Sequence, residues 1–139
     1  MIEPNLIWIM LGKKDRKYWR KKALEATKLE QWENLFSYGQ KMTELDPNDF
    51  DGWATKGDAQ YNLGNFELSL KFYQHALQLN KRDILSWQNL GHTFKKLGKY
   101  NEAIKCYNIA LDLNPLDGYH NNGKLRDSLI ECEKFSKQV

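Results

Sequence analysis

The chain has 139 residues and a net charge of +3; 41% of it is hydrophobic, 13% aromatic and 28% charged. That balance predicts a single soluble domain with a sizeable core, excludes a disordered tail, and offers no apolar run near the ~18–20 residues that cross a bilayer. Two cysteines, Cys106 and Cys132, are too few for a disulfide framework and lack metal-ligand spacing, so a reducing, cytoplasmic setting is the expectation.

Residues 1–15 hold an apolar cluster of Leu6, Ile7, Trp8, Ile9 and Leu11. Glu3 and Pro4 precede it where a cationic segment would stand, and no small-residue cleavage site follows, so it makes a poor signal peptide. Packing over the next element is the favoured reading; a remnant of a preceding unit and a surface for self-association are the alternatives. The stretch 13–22 follows, with Lys13, Lys14, Arg16, Lys17, Arg20, Lys21 and Lys22 around Tyr18 and Trp19. It supports a weak nucleic-acid or anionic-surface binder as an alternative function, but nucleic-acid proteins show broader basic stripes and Trp19 is needed in the core.

From Arg16 onward an offset of 34 residues organises the chain. Trp19, Trp53 and Trp87 are so related, as are Leu29, Leu63 and Leu97; Trp32, Phe66 and Tyr100; and Leu45, Leu79 and Leu113. Residues 50–83 and 84–117 align without gaps at 11 identities in 34, which marks a duplication. The segment 16–49 joins at fewer positions.

Each unit reads as two helices. In the first, Trp19 to Leu29 and Trp32 to Leu45 end at Asp46-Pro47; in the second, Trp53 to Leu63 and Phe66 to Leu79 flank a break at Gly64. In the third, Trp87, Leu90, Gly91, Phe94 and Leu97 share a face at steps of three and four. After Gly98 a second face runs through Tyr100, Ala103, Ile104, Tyr107, Ala110 and Leu111 to Asn114-Pro115, where proline stops the helix. Gly57 and Gly91 cost about 1 kcal/mol each in a helix, which predicts a close approach of the partner helix backbone. Ala76 and Ala110 are expected where one unit meets the next. Residues 118–139 read as a terminal helix with Leu125, Leu129, Ile130 and Phe135 on its apolar side, the cap a stacked array needs.

These positions resemble the tetratricopeptide repeat family, whose pattern places Trp, Leu-Gly, Tyr, then Ala, Phe or Tyr, Ala and Pro along 34 residues. Residues 84–117 match at Trp87, Leu90, Gly91, Phe94, Gly98, Tyr100, Ala103, Tyr107, Ala110 and Pro115. Residues 50–83 match at Trp53, Gly57, Gly64, Phe66, Tyr73 and Ala76, but carry Lys56, Gln60, Ser69 and Lys81 where the family prefers Leu, Tyr, Ala and Pro. Residues 16–49 keep Trp19, Ala23, Trp32 and Pro47 and depart at Leu35 and Gly39. The resemblance implies an all-α, right-handed α-α superhelix of three helix-turn-helix repeats (16–49, 50–83, 84–117) plus a C-terminal capping helix over 118–139.

It also implies a protein-protein interaction scaffold or adaptor rather than an enzyme, with the first helices lining a concave groove for a partner peptide or helix. Carried over by position, the groove residues are Lys17, Arg20, Lys21, Leu24 and Lys28; Asp51, Ala54, Thr55, Asp58, Tyr61 and Asn62; and Leu85, Gln88, Asn89, His92, Lys95 and Lys96. Such a groove is cationic at both ends and weakly acidic in the middle, suiting a mixed-charge ligand with acidic ends. No catalytic, cofactor or metal site is expected: His75, His92 and His120 lie in different segments, no phosphate loop or nucleophile elbow occurs, and both cysteines read as buried small hydrophobes. The alternative that the chain is the regulatory fragment of a larger protein stays open at this level.

Chaperone adaptors of the family clamp a C-terminal carboxylate with Lys and Asn, then Asn, then Lys and Arg. Here those places hold Arg20 and Leu24, Thr55, and Leu85 and Asn89; moving the frame by one repeat restores Asn89 but puts Ala54 and Asp58 where Lys and Asn belong. The expected outcome is no binding of a chaperone C-terminal peptide tighter than ~10 μM in a fluorescence-polarisation titration.

Overall fold

The computed structural model describes residues 3, 4, 6, 14–114 and 122–138. Leu6 is exposed, and the rest of the apolar cluster, Ile7, Trp8, Ile9 and Leu11, lies outside the described residues. Seven helices follow among the described residues, with no strand: α1 (Arg16–Lys28), α2 (Trp32–Leu45), α3 (Phe50–Asn62), α4 (Phe66–Leu79), α5 (Ile84–Lys96), α6 (Tyr100–Leu113) and α7 (Asn122–Ser136). Each helix packs chiefly on its neighbours in sequence, α1 on α2 through to α6 on α7, and α3 also touches α5. The result is a superhelical solenoid in which no hairpin covers its own apolar face alone.

Local chemistry repeats with the fold. Asp15, Asp49 and Asp83, again 34 apart, cap α1, α3 and α5 by accepting from the backbone N–H of Tyr18, Asp51 and Ser86. Such caps satisfy amides that the helix itself leaves open. The turn inside each hairpin is a Schellman closure. Gln31, Asn65 and Lys99 donate their N–H to the carbonyls of Ala26, Gln60 and Phe94, each at 2.9 Å. The residue before each of them is left-handed: Glu30 at φ 54°, Gly64 at φ 82° and Gly98 at φ 72°. Glycine adopts that geometry freely, whereas the Cβ of Glu30 is strained there.

Packing revises one expectation. A Cβ on Gly57 would stand 2.8 Å from the ring of Tyr73, and one on Gly91 would stand 2.5 Å from the ring of Tyr107. The glycines therefore make room for an aromatic ring lying across the first helix, not for a neighbouring backbone. The first hairpin solves the problem differently: Ala23 takes the glycine position and Gly39 the tyrosine position. Space at Gly39 is filled from the next unit, since a Cβ there would lie 2.8 Å from Cγ of Lys56. Lys56 stands where the third hairpin has Leu90, and it is only 7% exposed. Its ammonium lies 3.7 Å from the Trp53 ring centre, 4.9 Å from that of Phe72, and 3.3 Å from the Thr43 hydroxyl. Burial lowers its pKa, offset in part by Glu44.

The other departures from the family pattern also have partners. Ser69 is fully buried and donates its hydroxyl to the carbonyl of Gly57 at 2.9 Å. Gln60 is buried and accepts from the Asn65 amide at 2.8 Å. The carbonyl of Lys81 accepts from the Trp87 indole at 2.8 Å, just as that of Pro47 accepts from Trp53.

At the C-terminal end, α7 covers α6 through Leu125, Cys132 and Leu129, which join Ala103, Tyr107 and Ala110. Two residues assigned to its apolar side differ. Ile130 is 49% exposed, and Phe135 is partly exposed while stacking on Tyr100 at 5.2 Å. Cys132 occupies the inward position instead, and Cys106 is likewise buried.

Two substitutions test this packing. Glu30→Gly is expected to raise stability by about 0.5–1 kcal/mol by relieving the left-handed strain, measured by urea denaturation. Gly91→Ala is expected to lower it by about 1–3 kcal/mol, because the added methyl overlaps the Tyr107 ring and the core cannot yield without moving it.

Candidate functional site

Each tyrosine that crosses a hairpin carries its hydroxyl to the first helix and ends beside a polar side chain 15 residues earlier in sequence. Tyr73 donates a short hydrogen bond to Oδ1 of Asp58. The Tyr107 hydroxyl lies 2.7 Å from Nδ1 of His92. Asp58 and His92 occupy one repeat position, and Leu24 holds it in the first hairpin, where no tyrosine arrives. Asn89 of α5 donates to the same Oδ1 of Asp58 at 3.1 Å, tying α3 to α5.

Around these groups lies a cavity of about 180 Å³ lined by Asp58, Tyr61, Asn62, Tyr73, Asn89 and His92. Burial pushes the pKa of Asp58 up to about 6, even though the bonds from Tyr73 and Asn89 act against that rise; Asp51 and Asp83 add to it. Burial likewise raises the hydroxyl of Tyr73, helped by the Asp58 charge. His92 is lowered by burial and then by Lys95, so its ring is neutral near pH 7. The thiol of Cys106 is pushed up to about 12 by burial and that of Cys132 is also raised, so neither is a ready nucleophile.

A second hollow of about 430 Å³ continues along the same face, lined by Tyr61, His92, Lys95, Lys96, Tyr100, Glu131 and Phe135. The structure thus brings together seven residues assigned from the sequence: Asp58, Tyr61, Asn62, Asn89, His92, Lys95 and Lys96. It places Lys17, Arg20, Lys21 and Leu24 apart from them, along a shallow surface on α1 with Asp15 and Tyr18. Lys28 is exposed at the end of α1; Asp51, Ala54, Thr55 and Gln88 are half-buried along α3 and α5. Leu24 and Leu85 are 59% and 64% exposed, so the face has apolar points as well.

Several of these side chains are already engaged within the chain. Arg20 pairs with Asp51 at 3.2 Å, and Arg16 reaches across to Asp49 at 2.5 Å and Asp51 at 3.5 Å. Lys95 forms a short ion pair with Glu131 of α7. Thr55 donates to the Asp51 carbonyl and Asn62 to that of Asp58. Within the basic stretch, Lys14 sits over the Tyr18 ring and Lys22 pairs with Glu25. Lys17, Lys21, Lys28 and Lys96 keep no partner among the described residues. Tyr73, Tyr100, Glu131 and Phe135 were not foreseen as lining residues. The signal for Tyr73 was its offset from Asp58, which Tyr107 and His92 repeat.

Comparison with known proteins agrees with the fold. Tetratricopeptide repeat profiles match residues 50–83 and 84–116. No curated protein sequence matches the chain. Among solved structures, the TPR2B domain of yeast Sti1 in its pHsp70 complex is 12% identical with a TM-score of 0.80, covering 86% of this chain and 96% of that one. The first TPR domain of human RPAP3 is 18% identical with a TM-score of 0.80, covering 88% and 93%. The first TPR of Spaghetti (RPAP3), solved with the HSP90 peptide SRMEEVD, is 18% identical with a TM-score of 0.78, covering 86% and 90%.

The half-buried Asp58 carboxylate makes a pH prediction. The folded pKa of Asp58 lies above its ordinary value of 3.8, so the native chain binds this proton more tightly than the unfolded one. Its contribution therefore falls as pH rises from about 4 to about 6, by a total on the order of 3 kcal/mol. Asp58→Asn retains an acceptor for Tyr73 and Asn89 without the charge. The stability of this variant minus that of wild type is expected to grow across that window, measured by urea denaturation at pH 4.5, 5.5 and 7.

Proposed function

This chain is a tetratricopeptide repeat protein, and from that membership we propose that it is a non-enzymatic scaffold binding a partner peptide or helix along the face formed by α1, α3 and α5. We read residues 16–49 as a degenerate first repeat and 118–139 as the cap. The observation that carries the proposal is the run of two adjoining hollows, walled mainly by α3, α5 and α7 and lined by polar and aromatic side chains. The same fold holds an HSP90 peptide in Spaghetti (RPAP3) and appears in the pHsp70 complex of Sti1.

The ligand chemistry differs from a bare carboxylate tail. The clamp positions carry Arg20, Leu24, Thr55, Leu85 and Asn89, and Arg20 is occupied by Asp51. Lys17, Lys21, Lys28 and Lys96 supply the cations left at the two ends of the face, with Asp58 between them. That order suits a partner that is acidic at its ends and basic at its middle, with electrostatics setting mainly on-rate and register.

Affinity capture with the purified chain tests this. Lys17→Glu, Lys21→Glu and Lys96→Glu together are expected to reduce recovery of the partner at least about tenfold, or roughly 1.4 kcal/mol. Lys71→Glu with Lys105→Glu, on the second helices, is expected to leave recovery unchanged. The reverse pattern would move the binding face to the other side of the solenoid.

A further inference from the structure

We propose that the cavity at Asp58 is a receptor for a primary ammonium group, either the tip of a lysine side chain or the N-terminal amine of the partner. The proposal deepens the scaffold reading and rests on it.

The hydrogen-bond inventory of the cavity carries the argument. Both donors that reach the Asp58 carboxylate, from Tyr73 and Asn89, converge on Oδ1. Oδ2 keeps its acceptor capacity, and no buried side-chain polar atom among the described residues is left without a partner, so this oxygen meets solvent space. Each of the two amides lining the cavity turns one N–H back onto Asp58. Asn89 donates to Asp58, and Asn62 donates to the Asp58 carbonyl at 2.8 Å. Each therefore retains a carbonyl oxygen as acceptor. Asp58 Oδ2, Asn62 Oδ1 and Asn89 Oδ1 make three acceptors on one cavity, the complement of an ammonium, which has three donors and no acceptor.

Competing ligands fit less well. A carboxylate would face Asp58 with no cation among the cavity's own lining residues, since Lys95 and Lys96 line the adjoining hollow and burial keeps His92 neutral. A guanidinium prefers a carboxylate that accepts through both oxygens in parallel, and Oδ1 here is already doubly occupied. The rings of Tyr61, Tyr73 and His92 line the same cavity. At about 180 Å³ the space suits a narrow chain end more than a bulky group.

Proton–nitrogen NMR of the intact chain at pH 7 provides the test. The probes are n-butylammonium and butyrate at matched ionic strength, the peptide Ac-Ala-Lys-Ala-NH2 (side-chain amine only) and Ala-Ala-Ala-NH2 (terminal amine only). Butylammonium is expected to shift the side-chain amides of Asn62 and Asn89 saturably, with a Kd on the order of 1–10 mM, while butyrate leaves them in place. Whichever peptide reproduces those shifts identifies the source of the amine. Asp58→Asn, checked for an unchanged spectrum elsewhere, is expected to weaken butylammonium binding at least about tenfold, or roughly 1.4 kcal/mol. No saturable shift with butylammonium, equal shifts with butyrate, silence from both peptides, or undiminished binding by Asp58→Asn would each overturn the proposal. The scaffold reading fails separately, if charge reversal on the first helices leaves partner capture intact.

Discussion

A tyrosine ring laid flat across a neighbouring helix needs a position with no Cβ beneath it. Gly57 and Gly91 provide that position for Tyr73 and Tyr107. Both rings are thereby buried at the centre of their hairpins while their hydroxyls reach Asp58 and His92 on the first helices. The same contact closes the core and brings a polar group to the first helix. Asp58 and His92 each partner a buried tyrosine hydroxyl, which is tolerated only with such a partner.

The first hairpin shows what happens without that contact. With Ala23 and Gly39 in place of the glycine and tyrosine, no hydroxyl reaches residue 24, and a leucine stands there exposed. The volume lost at Gly39 is taken up by the stem of Lys56, whose charge then rests on the aromatic rings of Trp53 and Phe72. Three substitutions that look unrelated along the chain, at positions 39, 43 and 56, form one local rearrangement. The seam between the first two hairpins is accordingly more polar than the one between the second and third, where Leu77 and Leu90 meet in a common cluster.

The fold was legible because its determinants are periodic: tryptophans, small residues and turn breaks at an offset of 34 place every hairpin. The left-handed turn at Glu30 was not, since glutamate carries no hint of it; only alignment with Gly64 and Gly98 exposes it. The site was half legible. Position along the first helices grouped Asp58, Asn89 and His92, which line one cavity. It could not show that Arg20 is held by Asp51 or Lys95 by Glu131, because those partners lie 31 and 36 residues away on other helices. Charge counts from sequence treat such side chains as available, whereas the stacked helices pair them. Ile130 turned outward for a related reason, while Cys132 is buried as expected. Helical spacing defines a stripe, but the tilt of α7 on α6 decides which edge of the stripe turns inward.

The bond from Asn89 to Asp58 crosses the joint between two stacked units, and neither residue could make it if the units rotated apart. A guest held by oxygens from α3 and α5 at once would therefore act as a brace on that hinge, setting the local curvature of the coil.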